Sequence, residues 1–162
     1  MKRVGIFILM ALMVTAFCSC SKQKEEGNFE HVADDDAAMN AAIAKAKATS
    51  PDFIAAFHAQ KPGTSHYCVK KPYPTPKGGD EHMWIDLLTE TNGVLEGTIE
   101  NDAEETREVK IGQKVKLRID EISDWMYEDG NRLIGGYTIR YFVDKMSPKE
   151  RENFLKNVGF EL

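Results

Sequence analysis

Residues Glu81–Glu100 read EHMWIDLLTETNGVLEGTIE. Met83, Ile85 and Leu87 alternate with His82, Trp84 and Asp86, the period of two that a half-buried strand requires. Asn92-Gly93 then supplies the positive φ angles of a tight hairpin, and Val94 to Glu100 is the returning strand. Working outward, Ser65 to Lys71 reads as a strand before a Tyr73–Gly79 loop rich in proline and glycine. On the other side, Val115, Leu117 and Ile119 point one way, and Lys114, Lys116 and Arg118 the other. Asp120 to Ser123 has the composition of a single helical turn. Asp124–Tyr127 and Arg132–Ile134 flank another hairpin signal, Glu128-Asp129-Gly130-Asn131. Closely spaced short strands of this kind predict a small, strongly curved antiparallel sheet of about five strands, an SH3-like half-barrel.

Helices bracket the sheet, so the expected fold class is α+β. Asp34, Asp35 and Asp36 precede an Ala-rich stretch with Met39, Ala42, Ile43 and Ala46 on one stripe. Ser50-Pro51-Asp52 has the form of an N-cap, a first-position proline and a first-turn acid, which predicts a second N-terminal helix carrying Phe53, Ile54 and Phe57. At the other end, Ser147-Pro148-Lys149-Glu150 is a capping box, and Gly159 is the stop. Thr138 to Met146 fits either a strand or a helix. Helix is preferred because it gives Met146 a place on the apolar face with Ile139, Phe142 and Val143.

The N-terminus is an address. Lys2 and Arg3 precede an apolar run from Gly5 to Phe17, too short to span a bilayer comfortably, and Cys20 follows Ser19. The layout predicts a signal peptide over residues 1–19 with lipidation of Cys20, a polar tether to residue 33, and one domain over 34–162. The Phe17-Cys18-Ser19-Cys20 segment resembles a bacterial lipobox, with Phe17 where leucine is usual. Two or more acyl chains on one cysteine give stable anchoring. The expected place is therefore the cell envelope, on the periplasmic face or the outer surface of the outer membrane. Loss of Lys2 and Arg3 with the signal takes the formal charge from −5 to −7. That acidity excludes a general nucleic-acid partner. Of the three cysteines, only Cys68 would remain as a thiol, so no disulfide framework is expected.

His66, Cys68 and His82 are the nearest approach to a reactive set. His66 and Cys68 are two apart and share a strand face. A Cys–His pair could activate a thiolate. No HExxH or CxxC spacing is present, so neither a metal site nor a cofactor is expected. Asp124 and Trp125 are candidates for binding, together with Trp84 on the His82 face and Arg140. The structural reading of the same residues has Trp125 filling the core and Asp124 capping a turn or pairing with Arg140.

Several blocks resemble the YegJ-like family, a bacterial domain of unknown function. They are Glu81-His82-Met83-Trp84-Ile85, Glu96-Gly97-Thr98-Ile99-Glu100-Asn101 and Gly112-Gln113-Lys114-Val115. Ile122-Ser123-Asp124-Trp125-Met126 and Gly135-Gly136-Tyr137-Thr138-Ile139-Arg140 complete the set, and the resemblance covers roughly residues 50–145. Asp102 and Ala103 follow Asn101 where the family often has proline. The resemblance implies an α+β domain and no particular reaction. The expected function is a non-catalytic envelope lipoprotein that binds a protein, peptide or glycan. The alternatives are a thiol- or His-dependent hydrolase of the envelope and a self-protection or inhibitor lipoprotein.

Overall fold

A computed structural model of the chain describes residues 36–162. The signal peptide, the Cys20 lipidation site and the tether lie outside the described residues. The elements in order are α1 (Ala37–Ala59), β1 (Thr64–Pro74), β2 (Asp80–Thr91), β3 (Val94–Ile99) and β4 (Lys114–Arg118). A 3₁₀ turn at Ile119–Glu121 leads to β5 (Asp124–Asp129), β6 (Arg132–Gly135), α2 (Tyr137–Lys145) and α3 (Pro148–Val158). The fold is α+β, and among the described residues no helix is long and apolar enough to cross a membrane.

The six strands form one open antiparallel sheet in the order β4-β3-β2-β1-β5-β6. The count is one above the expected five or so, although each strand coincides with a segment read from the sequence; the shortest, Arg132–Gly135, pairs along its whole length with β5. The Glu81–Glu100 hairpin forms as its sequence requires: Asn92 and Gly93 take φ values of 53° and 79° at the turn. Gly97 is needed inside β3, since a Cβ there would lie 2.3 Å from the Asp86 carbonyl oxygen.

The N-terminal helical segment differs from expectation. It is one helix of 23 residues with Pro51 inside it, and Ser50 is a buried interior residue, not an N-cap. Proline has no N–H for the carbonyl four residues back, here that of Lys47. The Ser50 hydroxyl donates to that same carbonyl at 2.9 Å, so the helix continues with its acceptor satisfied. The start is set by Asp36, whose Oδ1 accepts from the N–H groups of Ala38 and Met39. Asp36 also accepts from Tyr141 Oη at 2.6 Å, which ties the helix entrance to α2.

The main core lies between α1 and one face of the sheet. Phe53, Val69, Met83, Ile85, Leu95, Ile99 and Trp125 are all within 3% of full burial. Trp125 is at its centre: its ring centroid is 5.3 Å from that of Phe53, and Nε1 donates to the Ala46 carbonyl at 2.9 Å. The opposite face carries a smaller cluster of Cys68, Met126 and Leu133, flanked by Trp84, Ile139, Phe160 and Leu162.

The segment from Thr138 is helical, as preferred. Its entrance is built by Asp124, which accepts from the Tyr137 and Thr138 N–H groups. Arg140 does not pair with Asp124. Its Nε donates to the Gly135 carbonyl and its Nη2 to the Leu133 carbonyl, at 2.9 and 2.7 Å. The Leu133 N–H in turn donates to the Glu161 carbonyl at 2.7 Å, so both polar backbone groups of Leu133 have partners from outside the sheet.

Candidate functional site

The site arises from an irregularity in β1. Its pairing with β5 shifts register between Ser65 and Cys68, and His66 sits at φ 52°, in the left-handed region that non-glycine residues rarely adopt. The bulge turns the His66 ring between two carboxylates. Nδ1 is 3.1 Å from Glu128 Oε1, on β5, and Nε2 is 2.6 Å from Glu100 Oε1, just past β3. Regular pairing resumes at Cys68, which lies opposite Asp86 on β2 and Met126 on β5. Its thiol donates to Glu100 Oε2 at 3.3 Å. Glu100 is held over β2 by its own N–H, which donates to the Trp84 carbonyl at 3.0 Å. One ligand atom from each of His66, Cys68 and Glu100 lies within 4.8 Å of the others.

The electrostatics of this group favour protons or cations. Burial pushes the Cys68 thiol far above its usual range, and the negative charges of Glu100, Asp86 and Glu128 push it the same way. Burial alone would lower His66, but its hydrogen bonds to Glu100 and Glu128 outweigh that and raise it. Asp86 is raised by burial and by Glu100. In this state Cys68 is a thiol rather than a thiolate, and it is fully buried, whereas a nucleophilic cysteine needs a depressed pKa and access.

His82 does not join the group. It pairs across the strands with Pro72, four residue pairs along from Cys68, and its Nδ1 is 2.8 Å from Ser123 Oγ. Burial, and then the nearby Lys70 cation, hold its imidazole below the ordinary value. Trp84 is half-buried beneath Lys70, whose Nζ is 5.2 Å from the ring centroid.

Asp124 and Trp125 serve the fold. The Asp124 carboxylate is fully buried on the sheet and accepts from the N–H groups of Trp125, Tyr137 and Thr138 and from the Thr138 hydroxyl. It thus supplies the helix N-cap that Gly136, without a side chain, cannot give.

Sequence spacing alone did not single out Glu100, Glu128 or Asp86. Asp86 had the one available signal, since a hairpin partner register would have set it opposite Cys68. A shallow groove of about 400 Å³ lies elsewhere, lined by Leu88, Glu96, Gly97, Lys114, Val115 and Lys116 beside the β4 edge.

Comparison with known proteins reaches across the whole described domain. A family model described as an uncharacterized protein conserved in bacteria (DUF2314) matches residues 36–162. The chain is 34% identical over 140 residues to the uncharacterized protein YegJ of Escherichia coli K12, covering 86% of each chain. It is 35% identical over 71 residues to a putative ankyrin repeat protein of Neisseria meningitidis serogroup B, covering 44% of this chain and 28% of that one. No solved structure matches.

Proposed function

The chain belongs to the DUF2314 family of uncharacterised bacterial proteins, and from that premise we propose a lipid-anchored, non-catalytic binding module of the cell envelope. Its occupant is an extended strand of an envelope protein, added to the open edge of β4. The observation that carries this reading is the inequality of the two sheet edges. Leu133 in β6 has its N–H and C=O engaged by Glu161 and Arg140, whereas β4 ends the sheet on the other side. Gly93–Ile119 and Ile99–Gln113 hydrogen bonds fix the alternation of the β3–β4 ladder. By that alternation the backbone groups of Lys114 and Lys116 and the Arg118 carbonyl face away from β3, as a strand-adding peptide requires, while the outward Arg118 N–H is taken by Glu121 Oε2 at 2.6 Å and closes that end of the edge. The groove with Leu88 and Val115 adjoins this edge and suits a side chain of such a strand. The buried, protonated Cys68 and the structural tasks of Asp124 and Trp125 support binding over catalysis.

The test has two arms. Cells expressing the full chain incorporate labelled palmitate, and Cys20→Ala abolishes the label; persistent labelling would reject the anchor. A photo-crosslinking residue at Lys114 captures a defined envelope protein, and Lys116→Pro, which removes an outward N–H, abolishes the adduct. An adduct indifferent to Lys116→Pro would overturn the edge reading. So would retention on purified peptidoglycan that Lys116→Pro leaves unchanged. Turnover of an envelope substrate that Cys68→Ala eliminates would overturn the non-catalytic reading.

A further inference from the structure

We propose that His66, Cys68 and Glu100 form a binding site for a thiophilic divalent cation of the zinc class, with Glu128 orienting the histidine. The proposal is independent of the anchor and of the β4 edge. It rests on the convergence of three different ligand types, a thiol, an imidazole and a carboxylate, from β1 and from the residue after β3. Their ligand atoms lie within 4.8 Å of one another. In a tetrahedral zinc site with metal–ligand distances of ~2.0–2.3 Å, neighbouring ligand atoms sit roughly 3.5 Å apart. Cys68 Sγ and Glu100 Oε2 are already 3.3 Å apart, and His66 Nε2 and Glu100 Oε1 are 2.6 Å apart. Glu100 is exposed at the end of its strand, so its side chain can pivot outward and open the space between sulfur and nitrogen.

Two further features fit. Metal-bound histidines characteristically donate their second ring N–H to a carboxylate, which fixes tautomer and ring plane. His66 Nδ1 faces Glu128 Oε1 at 3.1 Å, which leaves Nε2 to face Cys68 and Glu100. The surrounding carboxylates, Glu100, Glu128 and Asp86, place net negative charge around the group, which a dication offsets. On binding, the Cys68 S–H bond breaks, the proton leaves to solvent, and the sulfur electron pair goes to the metal. His66 gives the Nε2 lone pair and Glu100 a carboxylate oxygen, with a fourth position left for water. The sulfur ligand selects zinc-like ions over magnesium and calcium, which prefer all-oxygen sets.

The full chain, purified in detergent, is dialysed against Zn²⁺ and, separately, Co²⁺. One equivalent of either ion is retained, and Co²⁺ gives the near-ultraviolet thiolate-to-metal charge-transfer band. Magnesium and calcium in excess do not compete. Glu100→Gln and His66→Gln weaken binding by roughly tenfold or more, and Glu128→Gln by about tenfold. Cys68→Ser removes the charge-transfer band. Because Cys68 is buried and its replacement can impair folding, the His66 and Glu100 variants, at exposed positions, carry the test on their own. The absence of saturable binding, the absence of a thiolate band, or binding indifferent to both His66→Gln and Glu100→Gln would overturn the site.

Discussion

Asp124 and Thr138, on β5 and in the first turn of α2, are joined twice through one carboxylate oxygen. Asp124 Oδ2 accepts from the Thr138 N–H at 2.8 Å and from its hydroxyl at 2.6 Å. Oδ1 takes the Tyr137 and Trp125 N–H groups. A single buried side chain thus satisfies donors of a helix and of its own strand. Asp124→Ala leaves these donors without a partner and is expected to cost ~2–4 kcal/mol in urea unfolding. Asp124→Asn, with one acceptor oxygen, falls between. A cost below about 0.5 kcal/mol for the alanine variant would mean that α2 is capped by other means.

Trp125 contributes packing on Phe53 and a hydrogen bond to the Ala46 carbonyl across the α1–sheet interface. Trp125→Ala should lower stability by ~3–5 kcal/mol, the range for removing a buried aromatic ring. Near-neutral melting of this variant would show that the ring does not hold α1 to the sheet.

Two glycines with similar backbone angles should respond very differently to alanine. Gly135 and Gly130 have φ values of 77° and 63°. A Cβ at Gly135 would lie 2.4 Å from the Trp125 carbonyl oxygen and 2.5 Å from its ring, whereas at Gly130 nothing lies within 4 Å. Gly130→Ala meets only the left-handed backbone cost of about 1–2 kcal/mol. Gly135→Ala adds overpacking of ~1–3 kcal/mol to that cost. Equal denaturation midpoints for the two variants would contradict the close approach of Gly135 to Trp125.

Pro51 and Ser50 form a compensating pair within α1. Ser50→Ala leaves the Lys47 carbonyl without the hydroxyl it accepts from, and should destabilise by roughly 0.5–1.5 kcal/mol. In a Pro51→Ala background a backbone N–H is restored to that carbonyl, so the same serine change should cost clearly less. Additive costs in the double-mutant cycle would remove the link between the two residues.

The histidines give stability a pH dependence of two signs. His82 is held below its ordinary value of 6.5, by burial first and then by Lys70. Below that pH the unfolded chain takes the proton more readily than the folded one. Stability is therefore full above pH 6.5 and falls as the pH drops toward the folded value. His66 is raised, so its contribution is full below 6.5 and is lost as pH rises through the folded value. Comparing wild type with His82→Gln isolates the first effect. Between about pH 8 and pH 5 the wild type should lose more stability than the variant. Parallel curves would show that His82 titrates alike in the folded and unfolded chains.

Much of the fold was legible because its local signals agree with its packing. The Glu81–Glu100 hairpin has both an apolar period of two and an Asn-Gly turn, and α3 carries a complete capping box from Ser147 to Glu150. The N-terminal break is not decided by Ser-Pro, which has two meanings: a cap before a proline, or a hydroxyl that stands in for the missing N–H. Only the Lys47 acceptor distinguishes them. In the candidate site, the two-residue spacing of His66 and Cys68 indicated a shared face. Their joint partner Glu100 was hidden, because a bulge and the register of two intervening ladders bring it there. Asp124 is legible as a capping candidate, but the helix it caps begins 13 residues later and across a hairpin.

The closure of the β6 edge at Leu133 sets a valence. A sheet with two open edges can be joined on both sides, and copies can then pass pairing along indefinitely, as in fibril growth. Here one edge is engaged by Arg140 and Glu161, and β4 terminates the other side. A second copy docked edge to edge on β4 would present only its own closed β6 side, so growth would terminate at a pair. The cationic side chains of Lys114, Lys116 and Arg118 would also face their counterparts in such a pair, and like charges opposite one another are destabilising, though Glu96 and Asp120 offset part of the charge on Lys116 and Arg118. Among the described residues the sheet thus offers one edge for pairing, at Lys114 and Lys116, and the like charges along that edge disfavour a second copy there.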